Sequence, residues 1–222
     1  MTIDYNVLRF RMVDNQLRTT DVTSAAVLEA FLEVPREEFV PAAKKALAYI
    51  DEDLLVSGAG SDARYIMAPS PFARLLQLAD IKPSDVALDI GCAYGYSSAI
   101  LSRLASSVIA VESDSDLSAQ AAATLTGRGY DNIAVVNNVL VEGYASEAPY
   151  DVIILNGAVD FIPDTLFDQL KDGGRLVAVE GTGNAGVAKI YIKDEGIVSG
   201  RRVFNAAIKP LPGFERAPAF EF

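Results

Sequence analysis

Histidine is absent from this chain, and cysteine occurs once. Without histidine, Ser-His-Asp hydrolysis, Cys-His proteolysis and His-ligated metal sites are excluded. A single cysteine rules out an intramolecular disulfide and a cysteine cluster for zinc or iron–sulfur. No metal is therefore expected, and a reducing, cytoplasmic setting is. Basic residues are also scarce. Lys+Arg is 19 against 30 Asp+Glu, a net charge of −11. That balance argues against a groove tracking nucleic-acid phosphates and against docking on anionic lipid, so neither partner is expected. No run of about 18 apolar residues occurs, so no membrane-spanning helix is predicted. The opening MTIDYNVLRFRMVDNQLRTT carries charge throughout and lacks the apolar stretch of a secretory leader. Internal repeats and low-complexity stretches are missing too.

What is present is a core-forming composition. Half of the 222 residues are hydrophobic and 22% are charged, which fits one compact domain. The first 48 or so residues read as helices. In DVTSAAVLEAFLEV the apolar residues Val22, Ala26, Leu28, Phe31 and Leu32 fall near helical spacing, with Asp21 or Thr23 as N-cap. Pro35 ends that run, and REEFVPAAKKAL starts another short helix. Residues 49–72 read as irregular, with a flexible SGAGSD loop and two prolines in MAPSPF that forbid a continuous helix. From residue 85 short apolar runs alternate with helical patterns. VALDI (86–90), SSVIAVE (106–112), NIAVVN (132–137), YDVIIL (150–155) and GRLVAVE (174–180) are strand candidates. DLSAQAAATLTGRG reads as a helix closed by glycines. PDTLFDQLKDGG reads as a helix with Pro163 near N1 and Gly173 near the C-cap. Continuous apolar strands alternating with helices predict a parallel sheet covered on both faces. VAKIYIK and RRVFNAAIK then predict a terminal antiparallel pair.

The first strand–helix turn reads Asp89-Ile90-Gly91-Cys92-Ala93-Tyr94-Gly95. Its glycines allow a tight turn and a close approach of backbone N–H groups to a ligand. It is not G-x-G-x-x-G, so a nicotinamide dinucleotide is disfavoured. Glu112 ends the second strand, 23 residues after Asp89, where an acid accepts hydrogen bonds from two ribose hydroxyls. Together they point to a nucleoside-containing ligand. The bland alternative is a turn kept for helix–sheet packing. Cys92 reads as a small filler, with no base placed to activate it.

The pattern (Asp/Glu)-x-Gly-x-(Gly/Ala)-x-Gly resembles the first motif of class I S-adenosylmethionine-dependent methyltransferases. Upstream, MVDNQL and VLEAFLEVPREEFVP resemble the N-terminal segment of protein-L-isoaspartate O-methyltransferases. The likeness continues through ARYIMAPSPFARLL, LDIGCAYGYSSAILSRL, VIAVESD, YDVIILNGA and IPDTLFDQLKDGGRLV, over nearly the whole chain. It implies an α/β class I methyltransferase (Rossmann-like) sheet of about seven strands, mostly parallel with an antiparallel C-terminal strand. Residues 1–75 would form an N-terminal helical cover with a substrate-side loop, and 76–222 the methyltransferase core of a single compact domain. The resemblance also implies S-adenosylmethionine as cofactor, S-adenosylhomocysteine as product, and a peptide or small-molecule carboxylate as substrate. Asp89, Gly91, Cys92, Tyr94, Gly95, Glu112, Ser113 and Asn138 would bind the cofactor. Arg64, Tyr65, Met67, Ala68, Pro69 and Asn156 would face the substrate.

Three positions depart from the family pattern. Met67 stands where the family carries a Ser implicated in catalysis. Asn138-Val139 replaces a Gly-Asp pair whose Asp contacts adenine, and Ala93 replaces the middle glycine of the turn. Met offers no strong donor or acceptor, which predicts slow or absent isoaspartyl methylation. An ionised carboxylate is already a nucleophile, so a chain without histidine suits its methylation, which needs positioning and desolvation more than a base. Leu155-Asn156-Gly157-Ala158 is not the Asn-Pro-Pro-aromatic motif of amino-group methylation. The alternative reading is a cofactor-binding but catalytically degenerate relative with an interaction or regulatory role.

Overall fold

The computed structural model describes residues 3–216. Helix α1 (Tyr5–Met12) and α2 (Ala25–Glu33) open the chain, followed by two 3₁₀ segments at Arg36–Phe39 and Ala42–Leu47. Ser24, rather than Asp21 or Thr23, caps α2 by accepting from the Val27 N–H. Next come a two-stranded hairpin, β1 (Leu54–Ser57) with β2 (Arg64–Ile66), and helix α3 (Pro69–Ala79). The region expected to be irregular thus holds a hairpin and a helix start. Both prolines are tolerated because they sit in the first turn of α3, where N–H groups have no intrahelical acceptor. That helix spans residue 75, so the N-terminal cover and the core share it.

The main sheet contains β3 (Val86–Ile90), β4 (Ser107–Glu112), β5 (Ile133–Asn137), β6 (Tyr150–Val159), β7 (Leu170–Glu180), β8 (Val187–Asp194) and β9 (Ile197–Asn205). Their spatial order is β5-β4-β3-β6-β7-β8-β9. The first five are mutually parallel, β8 is antiparallel to β7, and β9 is antiparallel to β8. Between the parallel strands lie α4 (Tyr96–Leu101), α5 (Ser115–Gly127) and α6 (Asp164–Asp168). Helix α6 is shorter than expected. Gln169 ends it, and Gly173, at φ +79°, falls inside the β7 span instead of at a cap, because Leu170 pairs with Tyr150.

Both faces of the sheet are buried, which explains the unbroken apolar strands. Val152 and Ile154 of β6 pack with the N-terminal helices and α3, while Ile153 and Leu155 pack on the opposite face with Leu166 and Phe214. Val177 and Val179 of β7 alternate with Leu176 and Ala178 in the same way. Phe31, Phe39 and Phe72 surround the fully buried Tyr96 ring at centroid distances of 6.2, 5.9 and 6.4 Å, fixing the N-terminal cover onto α4. Successive strands are added to one side from β3 to β5 and to the other from β6 onward, so the strand order reverses at β3, between β4 and β6. Ligands of open α/β sheets bind outside the carboxyl ends of the strands at such a switch point.

Candidate functional site

The carboxyl end of β3 enters the glycine turn. Gly91 and Gly95 have φ of +82° and +90°, and Ala93 is left-handed too, at +49°. A side chain on Gly95 would run into Leu125 of α5 at 2.9 Å, and one on Gly91 into Leu211 at 2.5 Å. Both positions therefore need glycine for packing within the chain as well as for the turn. The Gly91 and Cys92 N–H groups donate to the Val111 carbonyl, and the Ala93 N–H to Glu112. The turn is tied to the end of β4, so these three donors face β4 and not the solvent. Cys92 is buried, and burial raises its thiol above the ordinary value, as expected of an inert filler. Tyr94 is half-buried and packs against the main core.

Asp89 is fully buried within β3. It accepts from Ser97 Oγ at 2.7 Å, from Ser98 Oγ at 2.5 Å and from the Asn156 amide. Burial raises its carboxyl above the usual range, and the three donors oppose that shift. Asp89 thereby ties the first turn of α4 to Asn156. Asn156 can reach it because the β6–β7 register slips between Ile154 and Ala158, freeing that stretch from the ladder. Asn156 also donates to the Ile90 carbonyl at 3.2 Å.

Glu112 is 0% exposed at the end of β4. Its Oε2 accepts from Ala93 N at 2.9 Å; its Oε1 accepts from Ser113 N at 2.8 Å, Asp114 N at 3.1 Å and Arg64 Nε at 2.9 Å. Arg64 Nη2 donates to Ser113 Oγ at 2.5 Å, and Arg64 Nη1 is buried with no partner. The acid expected to take ribose hydroxyls is thus held by an arginine from β2. Outside the pair lies an open cleft of about 390 Å³ lined by Arg64, Ser113, Asp114, Val139 and Leu140. Val139 is 53% exposed there. Asn138, next to Val139, is not in the lining; its amide donates to the Gly143 carbonyl at 2.8 Å.

The substrate-side residues gather next to the turn. Tyr65, Met67 and Asn156 join Gly91, Cys92 and Tyr96 around a void of about 10 Å³. The loop is anchored by residues that sequence reasoning had not assigned. Arg36, fully buried, donates from Nη2 to the Met67 carbonyl at 2.8 Å and from Nε to the Ala48 carbonyl at 2.7 Å. Its guanidinium lies 4.6 Å from the Tyr96 ring centroid. Asp53 accepts from Ala68 N at 2.7 Å, and Asp51 from Ser70 N at 2.9 Å. Ala68 and Pro69 thus serve as N-cap and first residue of α3. The Val-Pro-Arg stretch carried a signal for Arg36, but its target, a main-chain carbonyl 31 residues on, has no sequence signature.

A glycine turn after β3 and an acid closing β4, at the switch point of this seven-stranded sheet, define a class I methyltransferase arrangement. The family profile described as Protein-L-isoaspartate(D-aspartate) O-methyltransferase (PCMT) matches residues 9–213. A protein-L-isoaspartate O-methyltransferase of Koribacter versatilis is 36% identical over 205 residues, 92% of this chain and 90% of the relative. One from Picosynechococcus is 39% identical over 175 residues, 79% and 77% of the two chains. Among solved structures, a protein-L-isoaspartate O-methyltransferase superposes with a TM-score of 0.80 at 26% identity; 92% of this chain is covered, and it spans 66% of that chain. A Plasmodium falciparum structure described as this type of enzyme in complex with S-adenosyl-L-homocysteine shares the fold, with a TM-score of 0.77, 19% identity and 95% and 99% coverage. The chain belongs to the protein-L-isoaspartate(D-aspartate) O-methyltransferase family. No helix among the described residues is long and apolar enough to cross a membrane, and no cluster of metal-ligating side chains occurs among them.

Proposed function

We propose that this chain is an S-adenosylmethionine-dependent O-methyltransferase acting on a carboxylate, with isoaspartyl peptides as its substrate class. The family match over residues 9–213 carries this reading, and the site chemistry supports it. The residues fit a nucleoside. The cleft of about 390 Å³ beside Ser113 and Val139 has room for a base, and two of its lining residues, Arg64 and Ser113, are hydrogen-bonded to the buried Glu112 carboxylate. S-adenosylmethionine supplies a methyl group activated by a sulfonium; every other requirement falls on the chain. Glu112 would accept the ribose hydroxyls once Arg64 yields its place. Val139, Leu140 and the backbone near Ser113 would hold the adenine by apolar contact. The loop Tyr65–Pro69, pinned by Arg36 and Asp53, would cover the reacting carboxylate and exclude water. No proton needs to move, in keeping with the absence of histidine.

One observation favours the second reading, a cofactor-binding member with little turnover. Met67 is 6% exposed, lines the same opening as Asn156 and offers no orienting hydroxyl. The two readings separate in a two-step test. Calorimetric titration with S-adenosylhomocysteine establishes binding. Mass spectrometry then follows methyl gain on matched peptides bearing isoaspartate, serine or lysine. The proposal requires binding and a methyl gain on the isoaspartyl peptide alone. Binding with no gain on any peptide supports the degenerate reading, and a gain on lysine or serine overturns carboxylate specificity.

A further inference from the structure

The segment that follows β9 borders Met67 and Asn156. After β9 the chain returns along the end of β6, where Ala158 N donates to the Lys209 carbonyl at 2.9 Å and Leu211 N to the Ala158 carbonyl at 2.8 Å. Asp53 couples this segment to the loop. One carboxylate oxygen accepts from Ala68 N and the other from Lys209 N, each at 2.7 Å. Asp53, Tyr65, Met67, Asn156 and Lys209 then line one narrow opening of about 10 Å³, with both Asp53 oxygens taken up by the two backbone N–H groups. The Lys209 side chain is exposed there, with its Nζ 5.8 Å from the Tyr65 ring centroid. It forms no ion pair among the described residues.

We propose that Lys209 receives the carboxylate of the substrate and orients it, the task a hydroxyl at position 67 would otherwise perform. The inference rests on the carboxylate-methylating function proposed above. Its chemistry follows from which cations are free. Arg64 pairs with Glu112 and Ser113 with its remaining Nη1 buried, and Arg36 is sealed at 0% exposure with two of its donors on carbonyls and Nη1 buried. Lys209 is the accessible cation of the opening. A chain with net charge −11 repels an acidic peptide, so a local cation is needed to draw the carboxylate in. The Tyr65 face can carry the lysine stem and steady the ammonium. An ammonium is a point charge, not a two-pronged fork. It binds one carboxylate oxygen and leaves a lone pair free on the other. That second oxygen forms the new O–CH₃ bond as the S–CH₃ bond breaks; the electron pair goes to sulfur, giving a neutral ester and a neutral thioether, with no proton transferred.

The test compares wild type, Lys209→Met and Lys209→Arg. Steady-state methylation of an isoaspartyl peptide, peptide binding in the presence of S-adenosylhomocysteine, and S-adenosylhomocysteine affinity are measured for each. Lys209→Met is expected to raise the peptide KM and Kd at least about tenfold, the loss of one charge-assisted contact, with S-adenosylhomocysteine affinity unchanged. Lys209→Arg is expected to restore most of the loss, and salt is expected to weaken kcat/KM in wild type more than in Lys209→Met. Active wild type together with an unchanged peptide KM in Lys209→Met overturns the assignment and leaves the proposed function standing. Loss of S-adenosylhomocysteine affinity in Lys209→Met overturns it also. A wild type that binds S-adenosylhomocysteine but neither binds nor methylates the peptide overturns the substrate class, and the role of Lys209 with it.

Discussion

Replacing Arg64 by methionine should move two properties in opposite directions. Glu112 is fully buried and accepts four hydrogen bonds, one from Arg64 and three from the backbone of Ala93, Ser113 and Asp114. Deleting one partner of a buried ion pair costs about 3–5 kcal/mol when the remaining charge is left bare. Three backbone donors remain here, and the methionine side chain keeps much of the arginine's apolar volume. The expected cost is therefore about 2–3 kcal/mol, a fall in Tm of roughly 5–10 °C for a chain of this size. Ligand affinity should rise. In wild type a ribose hydroxyl has to displace the Arg64 Nε bond, a charge-assisted interaction of about 1.5–3 kcal/mol. Without it, S-adenosylhomocysteine should bind roughly 10- to 100-fold more tightly. Thermal unfolding and calorimetric titration on the same preparation read both quantities. If affinity and stability fall together, Arg64 supports the ligand through its free Nη1, and the competition argument is wrong.

Further outcomes follow from the same geometry. Val139→Asp places an acceptor at the mouth of the cleft and should tighten S-adenosylhomocysteine by about 0.5–1.5 kcal/mol; weaker binding at unchanged Tm would put the adenine elsewhere. Met67→Ser should lower stability by about 2 kcal/mol through lost packing, while raising kcat on an isoaspartyl peptide about tenfold; an unchanged kcat would show that the hydroxyl is dispensable in this chain. At alkaline pH the buried tyrosines should unfold the protein. Burial pushes Tyr96 up to about 12 from 10.0, only partly offset by the adjacent Arg36. Tyr49 and Tyr150 are raised as well, again chiefly by burial. Below pH 10 this contribution is fully present; it is lost as pH rises from 10 toward 12, about 3 kcal/mol from Tyr96 alone. Phenolate absorbance should therefore rise in step with unfolding, and free titration of all tyrosines in the folded protein would contradict this.

Glu112→Ala, the obvious probe of ribose binding, is a poor one. It would leave the buried Arg64 Nε and three backbone N–H groups without an acceptor, so a loss of binding could not be separated from a loss of folding. Glu112→Gln, which keeps the shape and one acceptor oxygen, is the better comparison for the predictions above.

The parallel sheet was legible because β3, β4, β6 and β7 are buried on both faces, and such strands announce themselves as unbroken apolar runs. The glycine turn and Glu112 were legible because their spacing follows from the strand–helix–strand geometry. The β1–β2 hairpin was not. Its strands are four and three residues long, and what holds it is tertiary: Asp53 to Ala68, Lys44 to the Leu55 carbonyl, Arg64 to Glu112. Arg64 was expected to face substrate, yet it pairs with a residue 48 positions away. Glu112 was expected to meet the ribose directly, and the pair shows why neither residue could be read alone. Lys209 escaped notice for the same reason, since only the return of the chain along β6 brings it beside Tyr65.

The central claim, that this chain methylates carboxylates, is tested most directly by initial rates of methyl transfer from S-adenosylmethionine to an isoaspartyl peptide and to the same peptide with ordinary aspartate. The account predicts a base-labile methyl ester on the isoaspartyl peptide alone, formed slowly by wild type and faster by Met67→Ser. Tight S-adenosylhomocysteine binding with no ester on either peptide, in wild type and in Met67→Ser alike, would contradict it.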